Sequence, residues 1–383
     1  METLELLELI QKGESSRVQF KERIKDAHSI SQEMVAFANL KGGVIIIGVN
    51  DKTGEINGLS FSEIHKHNEM LSNAASNNII PELFIETEQI SVDNKVVSII
   101  YIKEGNSKPY KDKNGIIWIK NGSDKRRVTS NEELARLLQD SKNIFADEQL
   151  IHNTTFSDFD ITKFEMYLKK RHNKELKDFE IDVKQLAQNS NLFKDNCLTL
   201  TGLLLFGKNP QQYRPLFSIQ CVSILDETNY EDKELPFEGD LKTVFDKAIA
   251  FITRNLRKIQ SGKSFNSLPI PEIPYEIFEE LIVNALIHRN YFINSTVKIF
   301  IYPDRIEIIS PGVLPNSLTI ENILNGISIP RNPTLQSIAQ FLLPYSGLGS
   351  GIMRIKKLFP EIELINHQSK EQFIAIIKKQ PQQ

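Results

Sequence analysis

Apolar positions recur along this chain in two rhythms, one helical and one extended, and their order sketches its organisation. Val18-Gln19-Phe20 alternates as a short strand, while Ile30, Met34, Val35, Phe37 and Ala38 fall on one helical face. Gly42-Gly43 ends that helix and opens Val44-Ile45-Ile46-Ile47-Gly48-Val49, a β-branched run that predicts a central strand. Asp51-Lys52-Thr53-Gly54 reads as a tight turn, and a helix follows from about Ser62 to Ser76. Strands are expected near Phe84–Glu88, Lys95–Ile102 and Gly115–Lys120, then a helix from Asn131 to Leu138. Ser130 with Glu133 three residues on fits a capping box for that helix.

Residues 141–160 are polar without apolar periodicity and read as a linker. A mixed segment, 161–237, follows. From Glu238 a helical pattern runs to about Ile259, and Pro269, Pro271 and Pro274 lead into a helix Tyr275–His288. Strands are expected over Thr296–Tyr302 and Arg305–Ile309, joined at Pro303-Asp304, with two more near Glu363–Asn366 and Phe373–Ile377. The pattern is α+β, divided as 1–140, a linker 141–160, a connecting domain 161–237 and a last domain 238–383.

Composition changes this picture at three points. A net charge of −3 over 383 residues carries no whole-chain signature of nucleic-acid or membrane binding, so any such surface is local. Cys197 and Cys221 lack the spacing of a disulfide framework or zinc site and are expected to be reduced core residues. The acidic, amphipathic start is unlike a signal peptide, and no apolar run approaches the ~20 residues of a membrane span, so a soluble, cytoplasmic protein is expected. Glycine is scarce, 18 in all, yet five lie between Gly42 and Gly58 and three at Gly347, Gly349 and Gly351. Clustered glycines mark places that another group approaches closely.

Toward the end, three features come in order: Glu280 and Asn284, then Ser310-Pro311-Gly312, then the glycine triplet. Four residues apart, Glu280 and Asn284 project from one helix face. A carboxylate beside an amide suits a water next to an oxygen-liganded Mg²⁺. The glycine triplet opens an apolar helical stretch, Ile352–Leu358, and can offer backbone N–H groups to phosphates. Ser261-Gly262-Lys263-Ser264 lacks the upstream glycine of a P-loop.

Taken together with Glu280-Leu-Ile-Val-Asn284-Ala285-Leu-Ile-His288-Arg289-Asn290-Tyr291 and Arg331-Asn332-Pro333, residues ~238–383 resemble the divergent GHKL-type ATP-binding domain of a bacterial subgroup. The resemblance implies an α/β sandwich binding ATP and Mg²⁺, with Glu280 as general base and Asn284 as Mg²⁺ ligand. Gly312 would shape the nucleotide pocket, Arg331 would belong to it, and Gly347, Gly349 and Gly351 would lie on the lid side against the phosphates. Ser310 stands where the family places an Asp that accepts from the adenine amino group, and Ser346 stands at a usually acidic position. Either His288 and Arg289 reach phosphates or His288 caps the helix packing.

At the other end, Glu14-Ser15-Ser16-Arg17-Val18-Gln19-Phe20-Lys21, Ala36-Phe37-Ala38-Asn39-Leu40-Lys41-Gly42-Gly43 and Gly48-Val49-Asn50-Asp51 place polar side chains at the ends of two strands. There they can share a metal, hold a basic partner, or serve as turn and cap groups. The stretch ~10–140 resembles the Schlafen-type AlbA-like domain, an α/β module. By that resemblance a metal-dependent RNA-cleaving centre would fall on Glu14, Gln19 and Asp51, with Lys21 contacting phosphate. Gln19 replaces a family glutamate, and an amide lacks the charge a hard metal favours, which makes nuclease activity less expected.

Between Lys103 and Arg127 eight basic residues face three acidic ones. Lys108, Lys111, Lys113, Lys120, Lys125, Arg126 and Arg127, with Tyr110 and Trp118 interleaved, form a candidate surface for phosphate backbone and base stacking. The whole chain then reads as an ATP-binding protein whose last domain controls how the first grips RNA or DNA, through the middle segment and in a homo-oligomer. The resemblance offers phage defence or transcriptional regulation as roles. An ATP-gated, metal-dependent ribonuclease and a nucleotide-insensitive scaffold are the alternatives.

Overall fold

The β-branched run does become an interior strand. In a computed structural model, which describes residues 2–140, 144–226, 229–260, 268–315, 318–347 and 349–379, it forms β2 (Gly43–Ile47). Around it lie β1 (Val18–Lys21), β3 (Ile85–Val92) and β4 (Lys95–Ile102), in the order β1-β2-β4-β3. β1 runs parallel to β2, and β2 and β3 are each antiparallel to β4. Helix α1 is Thr3–Lys12, α2 is Ala27–Ala38 and α3 is Phe61–Asn77. Asp26 caps α2 through the Ser29 N–H at 2.7 Å, and Ser60 caps α3 in a capping box with Glu63. One face of the sheet packs Met34, Val35 and Phe37 of α2 with Leu71 and Ala74 of α3; the other packs Leu6 of α1 with Phe20, Ile46 and Ile99. A hairpin, β5 (Trp118–Asn121) and β6 (Asp124–Arg127), and a helix Asn131–Asp140 complete this unit.

The chain divides into two compact units, Met1–Ile144 and Phe145–Gln383. In the second, β7 (Ile219–Ile224), β8 (Tyr230–Lys233), β9 (Val297–Ile301), β10 (Arg305–Pro311), β11 (Ile362–His367) and β12 (Gln372–Lys378) form a six-stranded sheet. Their order is β8-β7-β9-β10-β12-β11, with only the β7–β9 pair parallel among the described strands. Helices α4 (Leu241–Asn255) and α5 (Tyr275–Ile287) pack against it, α4 on β7 and α5 on β10. Their apolar stripes, Val244, Phe245, Ala248 and Phe251 on α4 and Ile277, Phe278, Leu281 and Ile282 on α5, are buried in one core with the strands. Two shorter helices follow, α6 (Pro333–Ala339) and α7 (Gly351–Leu358).

Two expectations about boundaries change here. Described residues of the expected linker include a 3₁₀ turn, Ala146–Glu148, and buried Asp147, Ile151 and Phe159, so polarity there reflects capping and turns rather than a tether. The expected connecting domain shares its core with the last one: β7 joins the six-stranded sheet, and Phe159, Phe164, Tyr167 and Phe206 pack in the same hydrophobic cluster. Cys221 lies buried on β7, where burial pushes its thiol pKa up; Cys197 is only half-buried. Ser261-Gly262-Lys263-Ser264 lies outside the described residues. No helix among the described residues is long and apolar enough to cross a membrane.

Candidate nucleotide and nucleic-acid sites

Helix α5 carries Glu280 and Asn284 into a cleft whose floor is β10 and β12. The cleft offers about 110 Å³ to water-sized occupants and about 1000 Å³ with its open mouth. Leu281, Ala285, Ile308, Ile323, Ile352 and Phe373 give it apolar walls, while Glu280, Asn284, His288, Ser310 and Arg331 supply the polar groups. Asn284 Nδ2 donates to the Glu280 Oε1 and backbone oxygen, both at 2.7 Å. With its nitrogen so engaged, the amide oxygen of Asn284 is the atom left to accept a ligand's hydrogen bond or to meet a cation.

The Glu280 carboxylate covers the start of α7. A Cβ on Gly351 would overlap both its oxygens, so glycine is required there by close approach. Oε2 also lies 3.5 Å from Arg354 Nη2, a cation that the sequence reading did not single out. Its signal was available, since Arg354 falls three residues after Gly351 on the helix that the triplet opens.

Gly312 turns at φ +103°, in the left-handed region, between Asn290 and Arg331. Ser310 is buried, and its hydroxyl donates to the Ala285 carbonyl at 3.0 Å. That bond consumes its proton, so what Ser310 retains is acceptor lone pairs. Arg331 donates to the carbonyls of Val313 (2.6 Å) and His288 (3.2 Å), tying the loop after β10 to the end of α5. His288 Nε2 lies 3.0 Å from the Tyr345 hydroxyl; burial, with Arg331 nearby, holds its pKa down to about 4, so it is neutral at pH 7.

Two expectations fall away. Gly347 does not line the cleft; Gln340 and Tyr345 are its nearest neighbours. Arg289 does not reach a phosphate: it is buried, with its guanidinium over Phe217 and Tyr291 at 4.8 Å each, bonded to the carbonyls of Ile293 and Ser295. Asn332 is likewise structural, bridging the carbonyls of Ile287 and Arg289 at 2.8 and 3.0 Å.

The first unit differs from the expected metal centre. Glu14 Oε1 accepts from the Gln19 amide and, at 2.8 Å, from the Phe20 N–H. Gln19 Oε1 in turn accepts from Lys120 Nζ at 2.7 Å. The buried Lys120 ammonium also lies 3.6 Å from Glu33, over the Phe37 ring, and on the Ser123 carbonyl. Glu33 holds Lys125 at 2.9 Å and has Lys21 at 4.0 Å. Burial lowers the Lys120 pKa, opposed by Glu33 and Glu14. A lysine thus occupies the centre of the cluster. Asp51 is exposed in its turn, on a cleft that it shares with Lys21, Arg23 and Lys25 and with the acidic Glu22 and Asp26. Among the described residues no group of three or more His, Cys, Asp and Glu is placed to hold a metal ion.

The basic segment is also largely paired within the unit. Lys108 is buried on Glu104 (2.6 Å) and the Leu40 carbonyl (2.9 Å), Lys103 meets Glu86, and Arg126 meets Glu133. Tyr110 is buried, so it cannot stack on a base. Trp118 donates to Asp112 at 2.9 Å and carries Lys125 and Arg127 over its ring at 5.7 and 5.3 Å. Lys111, Lys113 and Arg127 remain exposed. Asn39, quoted for its motif, is a clamp: it bonds the Tyr110 N–H (2.7 Å) and the carbonyls of Tyr110 and Trp118 (both 2.9 Å).

With this geometry in place, the comparisons define the two classes. Residues 14–129 match the family model "Schlafen, AlbA_2". Residues 294–375 match "Putative ATP-dependent DNA helicase recG C-terminal", of the HATPase_c_4 class, and 135–221 match a domain of unknown function, DUF8451. The chain therefore carries a Schlafen AlbA_2 module, of a nucleic-acid-associated class, and an ATPase-type module in an α+β fold. The second match begins after α5, so Glu280 and Asn284 stand on geometry and on the sequence motif alone.

Among solved structures, the DIP2311 protein from Corynebacterium diphtheriae is 18% identical over 99% of this chain and 80% of its own, with a TM-score of 0.48. The N-terminal domain of a Nitrosomonas europaea protein described as a "Putative ATP-dependent DNA Helicase RecG-related Protein" is 23% identical over 34% of this chain and 97% of its own, with a TM-score of 0.25. No curated protein matches the chain.

Proposed function

We propose that this protein binds ATP with Mg²⁺ in the cleft of its second unit and binds RNA or DNA through its first, nucleotide binding altering the grip on nucleic acid in a homo-oligomer. The observation that carries the reading is the convergence of Glu280, Asn284, Ser310 and Gly351 on one cleft with apolar walls. Asn284, through its side-chain oxygen, would hold the Mg²⁺; Ser310 would accept from the adenine amino group; the apolar walls would cover the base. Bound ATP·Mg²⁺ brings a transferable phosphoryl group and a cation that offsets its charge. Glu280, with Oε1 already oriented by Asn284, is positioned to take a proton from a water at the phosphate end. Phage defence and transcriptional regulation are the biological settings for such a device.

For the first unit, exposed Lys111, Lys113 and Arg127 support contact with phosphate backbone. The Lys120-centred cluster favours binding over metal-dependent cleavage. The test is nucleic-acid affinity measured with and without ATP·Mg²⁺ in wild type and Glu280→Ala, alongside RNA cleavage in Mg²⁺ or Mn²⁺. The expected result is nucleotide-dependent affinity without cleavage. Affinity indifferent to nucleotide rejects the coupling, and cleavage lost in Asp51→Ala restores the ribonuclease reading.

A further inference from the structure

Arg331 lines the cleft and Arg354 stands at its edge, beside the Glu280 carboxylate, and the two guanidinium groups differ in what they are doing. Arg331 is buried and holds two backbone carbonyls, those of His288 and Val313. Arg354, on the first turn of α7, has a side chain 65% exposed and rests 3.5 Å from Glu280 Oε2. That spacing exceeds the ~2.7–2.9 Å of a close charge-assisted hydrogen bond, so the guanidinium lies beside the carboxylate without being locked to it. Glu280 is fixed from its other side by Asn284 at 2.7 Å, and Gly351 beneath it has no side chain to separate carboxylate from helix start.

A carboxylate at this end of the cleft repels a polyphosphate unless fixed positive charge stands with it. The N-terminal amides of α7 supply only about half a charge. His288 is neutral at pH 7, and Arg331 is directed at the chain's own backbone. A guanidinium, by contrast, matches two phosphate oxygens at once and carries its charge at every physiological pH.

We propose that Arg354 is the polyphosphate-gripping residue of this cleft, kept aimed at the phosphate end by Glu280 and transferring from the Glu280 carboxylate to phosphoryl oxygens when a nucleoside triphosphate enters. This rests on the nucleotide reading above and adds to it a residue and a rule of selection: discrimination by phosphate charge at α7, separate from recognition of the base at Ser310.

The experiment is calorimetric titration of the full chain with ATP·Mg²⁺, ADP·Mg²⁺ and adenosine, in wild type, Arg354→Ala and Arg354→Lys. Loss of a charged hydrogen-bond pair to phosphate predicts that Arg354→Ala weakens ATP binding ~10–100-fold. Adenosine affinity should stay within about twofold, and Arg354→Lys should fall between, since lysine keeps the charge but not the planar fork. The exposure of Arg354 favours an intact fold, checked by the thermal midpoint without ligand. Wild-type ATP affinity in Arg354→Ala overturns the role of the arginine alone. So does an equal loss for adenosine, which marks a distorted cleft. Wild type that binds none of the three overturns the nucleotide reading and the proposal with it.

Discussion

The two units treat their acidic groups in opposite ways. In the first, Glu14 and Glu33 are closed off by Gln19, Lys120 and Lys125. In the second, Glu280 keeps a cleft in front of it, with one amide partner and one loosely placed guanidinium. Carboxylates at the end of a motif therefore do not announce a site; what decides is whether the fold has already supplied their counter-charge. A buried lysine does that job permanently, whereas an exposed arginine can leave.

The strongest way to break this comparison is to remove the closing lysine. Lys120→Met takes the ammonium from beside half-buried Glu14 and buried Glu33, which keeps Lys125, and should destabilise the first unit by about 3 kcal/mol in urea unfolding, the low end for a broken buried pair. A loss below about 1 kcal/mol would mean that the cluster is solvated and open, like the cleft. Its companion is Gln19→Glu, which restores a family carboxylate. With Lys120 in place it should gain neither Mn²⁺-dependent thermal stabilisation nor RNA cleavage, and either gain would show that the lysine yields to a metal.

Asp147 sharpens the contrast within the second unit. It is buried, accepts the Leu335 N–H at the start of α6 at 2.9 Å, and leaves Oδ1 without a hydrogen-bond partner. Burial raises its pKa to about 6 from an ordinary 3.8. Between those values the folded chain binds more protons than the unfolded one, so stability from this group is full below pH 3.8 and is lost as pH rises through about 6. Asp147→Asn should remove that loss, worth at most about 3 kcal/mol, and flatten the thermal midpoint between pH 4.5 and 7.5. His288 works in the other direction: its pKa is lowered from 6.5 to about 4, so its contribution is present above pH 6.5 and is lost as acid brings the pH down through about 4.

A smaller effect comes from ligand. At a hundred times its Kd, ATP·Mg²⁺ should stabilise the folded chain by about 2.7 kcal/mol, and Asn284→Ala should abolish the accompanying rise in thermal midpoint. An undiminished rise in the variant would remove Asn284 from the site. The smallest concerns the basic hairpin. Lys111→Ala with Lys113→Ala should reduce the salt dependence of RNA or DNA binding by about two counter-ions. Arg126→Ala should change it little, because Arg126 is paired with Glu133.

The elements themselves were legible because local periodicity carries them. The interior strand of the first sheet, α2 with its Met34 and Phe37 face, α5 and the closing antiparallel strands all fall where apolar spacing places them, within a few residues. So was the Glu280–Asn284 pair, since four residues along a helix fix their common face. Other features required the chain to fold back. Gln19 meets Lys120 across 101 residues. Tyr110 and Trp118 read as a stacking surface until Asn39 and Asp112 fasten them into the unit. The polar residues after 144 read as a tether because buried capping groups such as Asp147 look like surface from sequence alone.

Sequence by itself determined the periodic elements, the order of the two motif sets and the helix face that Glu280 shares with Asn284. All are set by geometry within a few bonds along the chain. Tertiary structure alone decided which charges are neutralised, which glycines face the cleft and where the second unit begins. Those depend on contacts between residues far apart in sequence, where burial raises the energetic cost of an unpaired charge and so selects its partner.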